Sequence, residues 1–89
     1  MKNEFEIKGV VDKVIPTDKV SINMDKKVIV IEAHAGSHYQ FIPIDFINDN
    51  ITCTEGVQKG DFVTILFQLK GRYWKDKVFS SLEGLNLIK

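Results

Sequence analysis

Phe5, Ile7, Gly9, Val11 and Ile15 fall on odd positions of the first fifteen residues, with Glu4, Glu6, Lys8 and Asp12 between them. A period of two places apolar side chains on one face of an extended chain and polar ones on the other. Residues 4–15 are therefore expected as a long, half-buried strand. Gly9 in its middle marks a bulge or a sharp bend. A long strand that bends can pair with one neighbour before the bend and another after it, which is what a small closed barrel requires. Pro16 is expected to end the strand, and residues 16–26 to form a polar connection.

The remaining pattern is also β. Lys27–Ala33 is β-branched on both faces, and His34-Ala35-Gly36-Ser37 reads as a turn into a third strand over residues 38–46. Pro43 within that strand points to an edge, a bulge or a break. Residues 47–60 carry no helical stripe and allow at most one short helical turn. Lys59-Gly60-Asp61 turns into a fourth strand, residues 62–69, and a fifth runs from Lys77 through Ser81 to Ile88 with an irregularity expected at Gly84. With 89 residues and no second cysteine to pair with Cys53, the expectation is one domain spanning 1–89 whose core is either compact or supplemented by self-association. Five strands with little helix suggest closure, because an open sheet would leave unpaired edges. Of the two candidate barrels, OB-fold and SH3-like, three features favour the all-β, five-stranded OB-fold. These are the long first strand with its central glycine, the break of about fourteen residues between strands three and four, and a decorated connection between strands four and five.

That connection, residues 70–77, concentrates chemistry. Lys70, Arg72, Lys75 and Lys77 stand against one acid, Asp76, and share the stretch with Tyr73 and the single tryptophan, Trp74. The whole chain is neutral, with 12 basic and 12 acidic residues, so the cations are placed rather than abundant. Between Ala33 and Asp61 one cation faces four acids; from Phe62 onward five cations face two. Cations beside exposed rings suit single-stranded nucleic acid, since phosphates take the cations and bases stack on the rings. Alternation puts Tyr73 and Trp74 on opposite sides, so at most one of them is expected to be buried.

Residues 63–82 resemble a small bacterial family catalogued as a domain of unknown function with an OB-like barrel, loosely grouped with single-stranded-DNA-binding proteins. Its signature, Gly-Arg-x-Trp followed by Phe-x-Ser-Leu, is carried here by Gly71, Arg72, Trp74, Phe79, Ser81 and Leu82. Gly9-Val10-Val11 and Gly60-Asp61 match as well. The chain departs from the pattern in residues 47–58 and at Asn86-Leu87-Ile88, where family members often carry Trp-Lys-Ile. The resemblance implies the same barrel and, more loosely, the same kind of ligand.

OB-folds bind across strands two and three, between the connections that join strands 1–2 and 4–5. Residues 16–26 and 70–77 would be those connections. The expected nucleic-acid-binding residues are Trp74, Arg72, Tyr73, Lys70, Lys75 and Lys77, with Lys26 and Lys27, and with Tyr39 and Phe41 of strand three. Tyr39 and Phe41 share one face and Ile42, Ile44 and Phe46 lie otherwise in the alternation. The two rings are platforms if the isoleucine side is interior, and core in the other register. The expected ligand is single-stranded DNA or RNA, DNA first, bound with weak sequence preference, and the chain is expected to form a homodimer or homotetramer. The alternative is a non-enzymatic adaptor barrel that docks protein.

Enzymatic readings find no support in the sequence. Cys53 has no His-Asp relay at motif spacing. Gly56-Val57-Gln58-Lys59-Gly60 lacks the Ser/Thr of a phosphate loop. His34 and His38 flank a turn without the further ligands that zinc needs. No catalytic residue, metal site or cofactor is assigned. Val28-Ile29-Val30-Ile31 is too short to span a bilayer. With a lone cysteine and no secretory pattern at Met1–Glu6, a cytoplasmic location is expected.

Overall fold

The computed structural model describes residues 3–89; Met1 and Lys2 of the expected 1–89 domain lie outside them. Five strands, β1 (Phe5–Ser21), β2 (Met24–Ala35), β3 (His38–Ile47), β4 (Phe62–Trp74) and β5 (Lys77–Ile88), form a closed barrel in the order β1-β2-β3-β5-β4. One short 3-10 helix, η1 (Asn48–Thr54), lies between β3 and β4. This is the expected OB-type barrel with a remnant helix. No helix among the described residues is long and apolar enough to cross a membrane.

Closure depends on β1. Residues Phe5–Val10 pair with Phe67–Phe62 of β4, and residues from Val10 onward pair with β2. The handover falls beside Gly9, where a Cβ would lie 2.6 Å from the carbonyl oxygen of Glu32. Only glycine permits this close approach of backbones.

Pro16 does not end β1. Ile15 pairs with Val28 and Asp18 with Lys26, so Pro16 and Thr17 together oppose Lys27. A bulge of two residues against one leaves the proline without a ladder bond to donate, and the strand runs on to Ser21. A second bulge, at Asp12 between Val11 and Lys13, shifts the phase of everything after it. Val11 is fully buried, but the next side chain packed on the core is Val14, while Ile15 turns outward. The expected connection over 16–26 is thus a hairpin arm with a two-residue turn, Ile22-Asn23.

The core consists of Val11, Ile29, Ile31, Ile44, Phe46, Val57, Val63, Ile65 and Leu87. η1 plugs one barrel end with Ile51 and Cys53, and its Thr54 is fully buried with Oγ1 donating to the Ile51 carbonyl at 2.7 Å. Phe46 fills the space beside Gly84, where any Cβ would collide with its ring. The expected irregularity lies there: Leu66 pairs with Asn86 and Phe67 with Gly84, leaving Leu85 as the extra residue. Pro43 is paired with Val30 of β2, while β3 meets β5 only at Asp45–Glu83. The proline therefore lies along a strand with one open side, as its missing N–H requires.

Candidate nucleic-acid interface

The burial of alternate residues assigns every strand a face. Ile29 and Ile31 point inward on β2, Ile44 and Phe46 on β3, and Val63 and Ile65 on β4. The outward set on β3 is then Tyr39, Phe41, Pro43, Asp45 and Ile47. Tyr39 is 62% exposed and Phe41 57%, so the isoleucine side is interior and both rings are surface groups. Lys70, Arg72 and Trp74 carry the outward phase of β4. The ladder places Phe79 opposite Arg72, Lys77 opposite Trp74 and Ser81 opposite Lys70.

Residues 70–77 do not form a loop. β4 and β5 continue as a ladder to Trp74–Lys77 and turn over two residues, Lys75-Asp76. The result is a second hairpin arm on which every residue from Leu69 to Ser81 is exposed. Tyr73 and Trp74 occupy opposite faces as alternation requires, yet neither is buried, because no barrel lies beneath either face. Lys75 adopts φ 58°, and its ammonium stands 5.4 Å from the Trp74 ring centroid.

The two arms flank a cleft of about 670 Å³ on the outer surface. Val20, Ser21, Met24 and Lys26 form the wall on the β1–β2 side. Lys70, Arg72 and Phe79 form the opposite wall, and Asp45, Ile47 and Glu83 lie between. A smaller depression of about 350 Å³ adjoins it, lined by Arg72, Tyr73, Trp74 and Phe79.

Lys70 lies 3.7 Å from Glu83, both partly exposed, which leaves it only partly available to a ligand. No ion pair engages Lys26, Arg72, Lys75 or Lys77 among the described residues. Lys27 does not join the cleft. It shares the inward phase of Ile29 and Ile31, and its Nζ reaches the Thr54 carbonyl at 3.4 Å, so it braces η1 instead. Tyr39 and Phe41 share the outward face of β3 with Asp45, but Phe41 is four residues along the strand from it, about 13 Å away. Tyr39 packs edge-on against His34, ring centroids 4.5 Å apart.

The sequence reading did not select Phe79, Met24, Val20 or Ile47 as site residues. Phe79 had a usable signal: once Lys75-Asp76 is taken as a two-residue turn, counting back along both strands puts it opposite Arg72. Ile47 had the same kind of signal, since counting back from the Gly36-Ser37 turn puts it opposite Lys26; Met24 and Val20 had none, because their place at the cleft depends on how the β1–β2 arm curls over β3.

Each arm is clasped by one asparagine. Asn48 accepts from the Asp25 backbone N–H at 2.9 Å and donates to the Asn23 carbonyl at 3.2 Å. Asn3 donates to the Leu69 carbonyl at 2.7 Å and accepts from the Leu69 N–H at 3.1 Å. Both side-chain amides thus take the place of a missing strand partner.

Other titratable groups are set apart from the cleft. Burial pushes the Cys53 thiol up, and its Sγ donates to the Asn50 carbonyl at 3.0 Å. A raised thiol stays protonated and unreactive at neutral pH. Asp61 is held below the usual carboxylate value, first by the Gln58 N–H and then by Lys89. No group of three or more His, Cys, Asp or Glu among the described residues could hold a metal ion.

A family model described as "Domain of unknown function (DUF3127)" matches residues 6–87. The chain belongs to this family. Among solved structures, it is similar to the dimeric N-terminal domain of PriB protein from Thermoanaerobacter tencongensis. The TM-score is 0.70 and the identity 17%, over 97% of this chain and 93% of that one. At that identity the likeness establishes the shared barrel. No curated protein matches.

Proposed function

We propose that this DUF3127 protein is a non-enzymatic OB-fold protein that binds single-stranded nucleic acid, with single-stranded DNA as the first reading and only weak sequence preference overall. The observation that carries the reading is the cleft between the two arms, with Arg72, Trp74 and Phe79 on one face of the β4–β5 arm. Arg72, Lys26, Lys70, Lys75 and Lys77 attract the backbone. Trp74 and Phe79 stack bases, each contact contributing about 1–3 kcal/mol. Tyr73 lies on the other face of the arm and extends the contact around its tip. Tyr39 and Phe41 offer further platforms along β3.

Self-association belongs to the same proposal. One cleft with few free cations binds modestly, and two joined clefts raise the effective concentration of the second contact. The solved relative is titled as a dimer, and a homodimer or homotetramer in the cytoplasm is our reading for this chain. Trp74, the single indole, reports directly. Titration with a mixed-sequence single strand at low salt should quench its emission, and added salt should reverse the quench with a slope near −0.7 per phosphate contact. Unchanged emission and unchanged mobility of a labelled strand would remove the reading. They would favour a protein-docking barrel, for which the largely unpaired side of β3 offers an edge.

A further inference from the structure

The floor of the cleft is chemically unlike its walls. Asp45 and Glu83 are register partners on adjacent strands and both face the cleft. Like charges opposite one another across strands weaken a sheet. Only Glu83 has an ion-pair partner, Lys70 at 3.7 Å, while the Asp45 carboxylate has neither an ion pair nor a hydrogen bond among the described residues. Stability gives no reason for this pair. A phosphate could not lie on it, because two carboxylates and a phosphodiester repel. Apolar side chains lie beside the pair, among the cations of the walls: Met24 on the β1–β2 side, Phe79 on the opposite side, and Ile47 on the floor itself. Apolar flanks suit a flat ring, and an acceptor-only floor suits a ring whose edge donates hydrogen bonds.

Resting on the reading that the cleft takes a single strand, we propose that bases enter it edge-first. Phosphates then remain outside on Arg72 and the lysines, and Asp45 with Glu83 selects guanine above the other bases. Guanine presents two adjacent donors, N1–H and the 2-amino group, which fit the two oxygens of one carboxylate. Adenine and cytosine present a single amino group beside a ring acceptor. Thymine and uracil present one N–H between two carbonyls, and those carbonyls face the carboxylates unfavourably.

The test uses the full chain and Trp74 emission at one fixed salt concentration. The ligands are a thymidine dodecamer, the same strand with its two central thymines replaced by guanine, and the same replaced by hypoxanthine. Hypoxanthine keeps N1–H and lacks the 2-amino group. The guanine strand should bind roughly tenfold tighter than the thymidine strand, near the low end of what a bidentate base contact supplies, with hypoxanthine between. Asp45→Asn, whose amide offers a donor as well as an acceptor, should bring the guanine and thymidine strands close together while leaving the salt slope unchanged. Glu83→Gln should act in the same direction. Equal binding of all three strands by the unaltered protein overturns the selection but leaves single-strand binding standing, as does a preference that survives Asp45→Asn. Failure of every strand to bind overturns both.

Discussion

The two hairpin arms flank one cleft but are built differently. The β1–β2 arm, residues 16–26, is held close to its turn, because Asn48 bonds to Asn23 and Asp25 and a Lys19–Asp25 pair spans the strands at 3.5 Å. Among the described residues the β4–β5 arm is clasped only at its root, where Asn3 grips Leu69, and it carries the rings and most of the cations beyond that point. One arm is a fixed wall; the other, anchored at one end, is the gripping arm of the proposed function. Amide exchange should follow this division, with residues 71–79 exchanging faster than residues 24–26 because no side chain clasps their ladder among the described residues.

The comparison breaks most sharply at the gripping arm. Arg72→Ala combined with Trp74→Ala should weaken binding of a single strand by about 2–4 kcal/mol, from one stacking and one charge-assisted contact. The melting temperature should barely move, because both side chains are exposed. A fall in melting temperature of more than a few degrees would mean that the arm supports the barrel. Val20→Ala on the other arm should leave affinity within about fourfold, because Val20 is half exposed and losing its two methyl groups there costs at most about 0.8 kcal/mol.

The fixed arm fails differently. Asn48→Ala removes two hydrogen bonds and places alanine at φ 49°, costing about 2 kcal/mol of stability by chemical denaturation. Asn48→Gly separates the two effects, since glycine accepts the backbone angle and loses only the clasp. Rapid exchange of the Asp25 amide in both variants would identify the clasp as what holds the arm.

A smaller effect is expected at the tip of the gripping arm. Lys75 occupies the left-handed region that glycine takes without penalty, so Lys75→Gly should gain up to about 1 kcal/mol in backbone conformation while losing its contact with Trp74. The salt slope of binding should fall by about 0.7 if Lys75 meets a phosphate, and by nothing if it only shields the indole.

The smallest effect lies away from both arms. The folded pKa of Asp61 is depressed, so its contribution to stability is complete above the ordinary carboxylate value. It is lost as pH falls through the lower folded value. Asp61→Asn should flatten that acid-side slope slightly in thermal melts and leave binding at neutral pH unchanged. A changed affinity would connect this turn to the cleft, contrary to their separate positions.

The closed five-stranded barrel, its long bent first strand and the short helix after β3 could be read from alternation, from Gly9 and from the gap at residues 47–60. The candidate site was legible in kind, through the cations and rings of residues 70–77, but not in shape. Lys27 and Lys26 are neighbours of the same type, yet one braces η1 and the other faces the cleft. Both arms were read as loops. Pro16 hid one, because nothing local reveals a bulge that accommodates it; the polar run Lys70–Lys77 hid the other, because a ladder exposed on both faces needs no apolar alternation.

The order of residues alone settles where apolar side chains can gather, and therefore that this chain closes a β-barrel and sets its cations and rings together at one hairpin. Tertiary structure alone decides which side of each strand meets solvent. Bulges at Asp12 and Pro16 reset the phase of β1, and the curl of two arms over β3 brings Arg72, Phe79, Met24 and Asp45 to one cleft. A period of two can be counted along a chain, but a single extra residue inverts it. Whether that residue is absorbed as a bulge depends on the partner strand, which lies elsewhere in the sequence.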